Sequence, residues 1–183
     1  MRVYILMDKR YEVELPWKQD CPSTPCDYQL CEKRLRSLHR KMLQQPQLLG
    51  ECYQMIQQQI QDGIVERVPE KEMNSTDNES VHYLPHHGVV RQDRETTKPR
   101  IVYNGSAKPP DRDYSLNDCL ETGPNFIPQL FDTLVKFRRH RIGLPADIER
   151  AFLMATINER NKDMVRFLWL KEPNDPNSEL VQL

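Results

Sequence analysis

The spacing of apolar residues changes along the chain, and this change is the strongest constraint on its fold. In the first third, apolar side chains recur every three or four positions, at Cys31, Leu35, Leu38 and Met42 and again at Leu49, Cys52, Ile56 and Ile60. This period predicts two amphipathic helices, over residues 27–45 and from Pro46 onward, because side chains three and four positions apart share one helix face. Asp62-Gly63 predicts the end of the second helix, since glycine readily takes the left-handed conformation of a helix cap.

Short β-branched and apolar runs then replace the helical period. Two such runs, at 88–91 and 100–104, flank a polar stretch and predict a β-hairpin with a basic tip. A helix opening at Pro128 is predicted to place four side chains on one face: Ile127, Leu130, Leu134 and Phe137. The other predicted elements are a short edge strand at 10–17, strands at 64–68, 142–148 and 164–170, an exposed loop at 69–80, a helical turn at 149–154, and a turn at 172–178 leading to a strand from Glu179.

The chain is nearly neutral as a whole, but its charge alternates in blocks. The 26 lysines and arginines against 27 acidic residues give a formal net charge of -1. This excludes the globally basic chain that many free nucleic-acid-binding proteins have. Residues 31–50, 81–112 and 136–150 are net basic, whereas residues 51–80 and 113–135 are net acidic. Such blocks can still build one basic face on a neutral protein.

Five cysteines, an odd number, predict reduced thiols in a reducing compartment rather than a disulfide framework. The apolar opening at 3–7 is too short for a signal-peptide core or a membrane span. We therefore expect an intracellular, cytoplasmic protein that does not enter a membrane. An alternative use of the cysteines is a zinc site formed by Cys21, Cys26, Cys31 and His39, although this spacing lacks the close pair typical of zinc ligands.

Two features of the second half carry candidate chemistry. Asp147 ends a predicted apolar strand and precedes a helical turn, where a carboxylate can bind a metal ion while the strand stays buried. The alternative is that Asp147 is a helix N-cap and Glu149 a first-turn acid favoured by the helix dipole. The basic run after the third predicted helix contains Arg138, Arg139 and Arg141, which can contact a nucleic-acid backbone or simply complement the dipole at a helix C-terminus.

Four segments of the chain stand in a characteristic order and spacing. They are Tyr83-Leu84-Pro85-His86-His87, then Lys98-Pro99-Arg100-Ile101-Val102-Tyr103-Asn104-Gly105-Ser106-Ala107-Lys108, then Ser115-Leu116-Asn117-Asp118-Cys119-Leu120 with Thr122-Gly123-Pro124, then Ala146-Asp147-Ile148-Glu149 with Ala151-Phe152. Together they resemble the reverse transcriptase of Pao/BEL-type long-terminal-repeat retrotransposons. The stretch from Arg10 to Lys18 also resembles the segment that precedes this polymerase. The resemblance covers residues 10–183 and rests on the combination of motifs.

The resemblance implies an α+β fold that contains the fingers and the first part of the palm of a polymerase. It implies an N-terminal approach segment over 1–26, a fingers-like region with a helical pair and a β-hairpin over 27–140, and the truncated start of the palm over 141–183. The implied activity is RNA-directed DNA synthesis with Mg²⁺, with dNTPs as substrates and an RNA or DNA template-primer as partner.

The resemblance also implies roles for individual residues. Asp147 matches the first of three palm aspartates that hold two Mg²⁺ ions, and the carbonyl of Ile148 completes the metal shell. Phe152 matches the aromatic steric gate that crowds a ribose 2′ hydroxyl. Arg100 matches the triphosphate-binding arginine, a role suited to a guanidinium because it can clamp phosphate oxygens bidentately. Arg91 stands near the position of a second phosphate contact.

The chain departs from the family pattern in three respects. Asn104 stands where an aspartate is usual, and Pro145 removes a hydrogen-bond donor from the predicted palm strand. The other two palm aspartates belong to a Tyr-x-Asp-Asp turn, which the sequence lacks. We therefore expect this chain not to polymerise alone. The alternative function is a non-enzymatic, retrotransposon-derived module that binds nucleic acid or another protein.

Overall fold

The computed structural model of the chain describes residues 3–5, 10–21, 28–73, 81–89, 99–108, 112–147 and 151–183. These residues form a mixture of helices and short strands, in agreement with the mixed α and β composition that the sequence predicts. Across the described ranges, no helix has both the length and the apolar character needed to cross a bilayer.

Four α-helices and three 3₁₀ segments are formed by the described residues. The helices are α1 (Tyr28–Met42), α2 (Pro46–Gln61), α3 (Glu70–Met73) and α4 (Leu130–Arg138), and the 3₁₀ segments cover Asn117–Cys119, Ala151–Met154 and Glu159–Val165. Helices α1 and α2 confirm the two helices predicted from the apolar period. Gly63, at a φ of 64°, follows the end of α2 as predicted. Helix α3 lies within the stretch predicted as a loop.

Seven short strands form three small sheets in the described part of the chain. They are β1 (Val3–Ile5), β2 (Tyr11–Val13), β3 (His86–Val89), β4 (Arg100–Tyr103), β5 (Ala155–Ile157), β6 (Leu168–Leu170) and β7 (Leu180–Gln182). Strand β2 pairs antiparallel with β1 and parallel with β5. Strands β3 and β4 form the predicted hairpin. Strands β6 and β7 also pair antiparallel, which confirms the predicted return of the chain from Glu179.

The strand prediction for residues 64–68 was wrong. The backbone N–H groups of Ile64 and Val65 donate to the carbonyl of Gln59 at 2.8 and 3.2 Å, so this stretch completes the C-terminal turn of α2. Further along, the N–H of Val68 donates to the carbonyl of Gln182 at 3.1 Å, which attaches the segment to β7. Tertiary contacts therefore hold the segment without making it a strand.

The other strand predictions need smaller corrections. Strand β2 is shorter than the predicted 10–17 and is the central strand of its sheet rather than an edge. The strand predicted over 164–170 is limited to β6, because a 3₁₀ segment extends to Val165. No strand forms over 142–147, the described part of the predicted strand at 142–148. Ile142 and Leu144 are 79% and 87% exposed there, so no packing stabilises an extended pairing.

The core lies between α1, α2 and the β6–β7 hairpin. One buried cluster consists of Met42, Leu49, Cys52, Ile56, Phe167, Trp169 and Leu183. A second consists of Cys31, Leu35, Val81, Tyr83 and Leu168. Leu168 and Trp169 enter different clusters because successive side chains of a strand point to opposite faces. Strand β6 is therefore covered on both sides, and the apolar faces predicted for α1 and α2 are the buried ones.

The prediction that the cysteines are reduced was wrong for one pair. Cys21 and Cys119 form a disulfide with their Cα atoms 5.1 Å apart, a separation that suits a disulfide. Cys31 and Cys52 are buried thiols, as expected. Cys26 lies outside the described residues.

Backbone pairing brings the two bonded cysteines together. Trp17 and Leu120 form an antiparallel bridge. Next to it, the N–H of Lys18 donates to the carbonyl of Cys119 at 2.9 Å. The N–H of Glu121 donates to the carbonyl of Pro16 at 2.8 Å. The cysteines are 98 positions apart in sequence, so their spacing could not reveal the pair.

Candidate functional site

The β3–β4 hairpin positions Arg100, the first of the predicted site residues. His86 lies opposite Tyr103 at the base of the hairpin, and Val89 lies opposite Arg100 at the other end. Arg100 is exposed. Because residues 90–98 connect these two ends, Arg100 stands at the tip side of the hairpin, on the side away from the core. Arg91, the second predicted phosphate contact, falls outside the described residues.

A buried aromatic cluster fixes the base of the hairpin to the core. The Nε2–H of His86 donates to the carbonyl of Leu168 at 2.8 Å. The ring of His86 lies 5.5 Å from that of Phe167 and 5.1 Å from that of Trp169, and the ring of Tyr103 lies 4.9 Å from that of Phe167. These contacts join β3 and β4 to β6, so the exposed end of the hairpin projects from a rigid base.

Burial also determines the electrostatics of this base. Removal from water lowers the pKa of His86, and the hydrogen bond to the carbonyl of Leu168 opposes the shift only partly. Burial raises the pKa of Tyr103 far above its usual range. Among the described residues, Tyr103 Oη and Trp169 Nε1 are buried without a hydrogen-bond partner. All three groups are therefore neutral near pH 7, and the base of the hairpin adds no charge to the site.

Close packing places the hairpin directly against α2. A Cβ atom at Gly88 would lie 3.2 Å from Sγ of Cys52, a buried residue of α2. Glycine at this position lets the backbone of β3 approach the helix. The side chain of Asn104 accepts a hydrogen bond from the N–H of Ser106 at 3.1 Å and supports the turn after β4. Asn104 thus has a local structural role.

The predicted palm residues lie at the edge of a gap in the described structure. Asp147 is exposed and ends the described stretch 112–147, and Ile148 falls outside it. Phe152 lies in the 3₁₀ segment Ala151–Met154, which leads directly into β5, and its side chain is 94% exposed. An exposed aromatic ring is available for contact with a ligand, but no described contact orients it. The alternative of Asp147 as a helix N-cap falls on residues outside the described ranges.

The three arginines of the basic run lie at the C-terminal end of α4. Arg138 is the last residue of the helix, and Arg139 and Arg141 follow it. All three are exposed, and the N–H of Arg139 donates to the carbonyl of Lys136 at 3.2 Å to close the last turn. Cations at this end complement the helix dipole, so both interpretations of the run suit its position.

The cysteine–histidine alternative does not form a metal site in the described residues. Cys21 is bonded to Cys119, the thiol of Cys31 donates to the carbonyl of Tyr83 at 3.1 Å, and Nε2 of His39 donates to the carbonyl of Pro173 at 2.7 Å. Nowhere in the described ranges do three or more histidine, cysteine or acidic side chains lie together as metal ligands do.

Comparison with known proteins adds no further constraint. No family model matches the chain. No curated protein and no solved structure matches it either.

Two features of the site were missed from the sequence. The aromatic cluster joins residues of β3, β4 and β6 that are up to 83 positions apart, as His86 and Trp169 are. The disulfide likewise depends on long-range pairing. The one available signal was the concentration of aromatic residues and histidines at 82–87, 103 and 167–169.

Proposed function

We propose that this chain is the fingers and the first part of the palm of an RNA-directed DNA polymerase of the Pao/BEL retrotransposon type. The observation that carries the proposal is the β3–β4 hairpin, whose base is fixed in the core while Arg100 is exposed toward its tip. In such a polymerase, this arginine contacts the triphosphate of the incoming nucleotide. A rigid base would hold the guanidinium in place as the phosphate arrives, which limits the entropy lost on binding.

The proposal gives Asp147 and Phe152 roles in a complete active site. Asp147 would be one of the carboxylates that hold Mg²⁺, which activates the primer hydroxyl and stabilises the departing pyrophosphate. Phe152 would exclude ribonucleotides by crowding the 2′ hydroxyl. The remaining carboxylates of a Tyr-x-Asp-Asp turn are absent from the sequence, so we expect this chain to need a separate palm and thumb for synthesis.

Complementation tests the polymerase proposal directly. The chain is mixed with a separately produced palm and thumb of a Pao-type polymerase, and dTTP incorporation on poly(rA) primed with oligo(dT) is measured with Mg²⁺. We expect synthesis from the mixture and none from either part. Asp147→Asn should return incorporation to background without weakening association of the two parts. Association without any incorporation by the unsubstituted mixture would contradict the proposal.

A second candidate is a non-enzymatic module that binds nucleic acid. The exposure of Arg138, Arg139 and Arg141 at one end of α4 favours it, because phosphate contacts need accessible cations. Binding of a short labelled RNA–DNA hybrid is measured by fluorescence anisotropy at several salt concentrations. Each lost phosphate contact should reduce the salt slope by about one.

The same assay tests whether the β3–β4 hairpin contributes to binding. Arg100→Ala should weaken binding roughly tenfold if its guanidinium contacts a phosphate. Arg34→Ala removes another exposed cation, this one from α1, and serves as the matched control, with an expected change under twofold. An absence of binding even at low salt would exclude the module.

A further inference from the structure

The segment around α4 exposes an unusual number of large apolar side chains. We call the following nine side chains the α4 surface: Phe126, Ile127, Leu130, Phe131, Leu134, Val135, Phe137, Ile142 and Leu144. Their exposed fractions run from 45% at Leu134 to 87% at Leu144, and no residue of α4 is buried. Contiguous apolar surface of this extent marks an interaction site in a folded chain.

Helix α4 is amphipathic, so its apolar side chains form a face. Leu130, Leu134 and Phe137 follow one another at the spacing that aligns side chains along one side of a helix. The charged residues Asp132 and Lys136 each stand two positions from Leu134 and therefore lie on the opposite side. The helix thus has a defined apolar side, which the described residues leave exposed.

The chain after α4 extends this face. A Cβ atom at Gly143 would overlap the ring of Phe137, so the backbone at Gly143 lies directly against that ring. This contact places Ile142 and Leu144 beside the end of α4. The helix and the segment that follows it therefore form one continuous apolar surface.

The shortness of α4 favours burial of this surface. Helices of fewer than about 12–15 residues are marginal in water, and packing of an apolar face supplies most helical stability in proteins. Helix α4 has 9 residues and none of them is buried. A partner that buries the face would supply the missing stabilisation.

We propose that the α4 surface is a self-association interface, on which two copies of this chain pack with their α4 helices antiparallel about Leu134. A buried aromatic side chain contributes roughly 150–250 Å², and the α4 surface has three of them together with six aliphatic side chains, so it supplies on the order of 1,000 Å² from each copy. A stable interface takes about 800 Å² from each partner. A second copy brings an equal apolar area and can form a closed two-fold dimer.

The charges around α4 favour this partner and this orientation. The nine side chains carry no hydrogen-bonding group, so their centre suits an apolar partner rather than the polar backbone of a nucleic acid. A parallel pair would place both sets of Arg138, Arg139 and Arg141 side by side. An antiparallel pair separates them by the helix length, about 13 Å, which exceeds the screening length at physiological salt.

Sedimentation velocity of the full chain over a range of concentrations tests the proposal. We expect a monomer–dimer equilibrium that persists as the salt concentration rises, because burial of apolar side chains drives it, whereas binding to nucleic acid must weaken with salt. Leu130→Gln combined with Leu134→Gln should raise the dissociation constant of the dimer at least about 100-fold. Glutamine is a good helix former, and both positions are exposed, so folding should persist.

A matched control acts on the opposite side of the same helix. Asp132→Gln combined with Lys136→Gln also introduces two glutamines, leaves the net charge unchanged, and should alter dimerisation less than about threefold. A denaturing gel without reductant must show monomer, which excludes an intermolecular disulfide. A chain that stays monomeric at all concentrations, open-ended oligomers, or equal effects of the two double variants would each overturn the proposal.

Discussion

Helices α2 and α4 have the same kind of apolar stripe but different surroundings. In α2, Leu49, Cys52 and Ile56 are at most 1% exposed and pack against the β6–β7 hairpin. In α4, Leu130 and Leu134 are 73% and 45% exposed. Periodicity therefore determines which side chains share a face, whereas the fold around the helix determines whether that face is buried. One helix stabilises the core, and the other presents a surface.

The largest expected difference is between two leucine-to-alanine substitutions, one in α2 and one in α4. Leu49→Ala should destabilise the protein by about 2–5 kcal/mol, because it removes buried methyl groups and leaves a cavity in the core. Leu130→Ala should change stability by less than about 0.5 kcal/mol at concentrations where the chain is monomeric, since its side chain is already in water. Urea denaturation followed by far-UV circular dichroism measures both values.

Equal losses of stability for the two substitutions would contradict the conclusion that the apolar face of α2 is buried and that of α4 is exposed. A large effect of Leu130→Ala in the monomer would mean that α4 packs on the body of the protein in solution. If the effect of Leu130→Ala grows with protein concentration, the helix gains its stability from a second copy.

The next effect concerns the disulfide that joins residues near the N-terminus to the 3₁₀ segment at Asn117–Cys119. Replacing Cys21 and Cys119 together by serine should destabilise the protein by about 2–4 kcal/mol, because the bond closes a long loop and so restricts the unfolded chain. Thermal unfolding of the two proteins without reductant measures the difference. Adding reductant should lower the melting temperature of the unsubstituted chain and leave that of the double variant unchanged. An equal response of both to reductant would assign the effect to other thiols.

A smaller, pH-dependent effect is expected from His86 at the base of the hairpin. Burial lowers its pKa in the folded state below the ordinary value of 6.5. As the pH falls through 6.5, the unfolded chain therefore gains a proton that the folded chain does not. Stability is full above this pH and decreases below it, with a slope of at most about 1.4 kcal/mol per pH unit until the folded-state pKa is reached.

Urea denaturation between pH 7.5 and pH 5 measures this slope. The His86→Gln variant has no titratable group at this position, so its stability should depend less on pH over the same range. If both proteins lose stability at the same rate, the acid sensitivity arises at other groups, and the pKa of His86 is not lowered.

Local features of the fold could be predicted from the sequence, because neighbouring residues determine them. The period of Cys31, Leu35 and Met42 predicted both α1 and its buried face, and Gly63 marked the end of α2. The β3–β4 hairpin was also predicted, because β-branched runs flank a polar stretch. In each case the interaction that forms the element joins residues close together in sequence.

Long-range features could not be predicted in this way. Residues 64–68 have the composition of a strand, but the carbonyl of Gln59 accepts the N–H groups that would have paired. The apolar run at 142–144 finds no sheet to join among the described residues. Of the candidate site, Arg100 was placed on its hairpin correctly, while the cluster that holds that hairpin depends on Phe167 and Trp169, far along the chain.

The smallest effects compare two glycines, one in α2 and one in the strand that packs on it. Gly50 lies within α2, and no atom lies within 4 Å of the position of an added Cβ. Gly50→Ala should therefore stabilise the protein by about 0.5–1 kcal/mol, because alanine loses less backbone entropy in a helix. Gly88→Ala should destabilise it by about 1 kcal/mol, because its Cβ would press on Sγ of Cys52 at 3.2 Å.

The pair also tests whether the hairpin must lie against α2 for Arg100 to act. If it must, Gly88→Ala should weaken binding of the RNA–DNA hybrid and reduce the loss caused by Arg100→Ala, whereas Gly50→Ala should alter neither. Both variants add one methyl group, so a difference between them reflects the position of the hairpin rather than side-chain size. If Gly88→Ala destabilises the protein and leaves hybrid binding unchanged, the hairpin does not need close contact with α2 to present its arginine, and the packing at Cys52 serves stability alone.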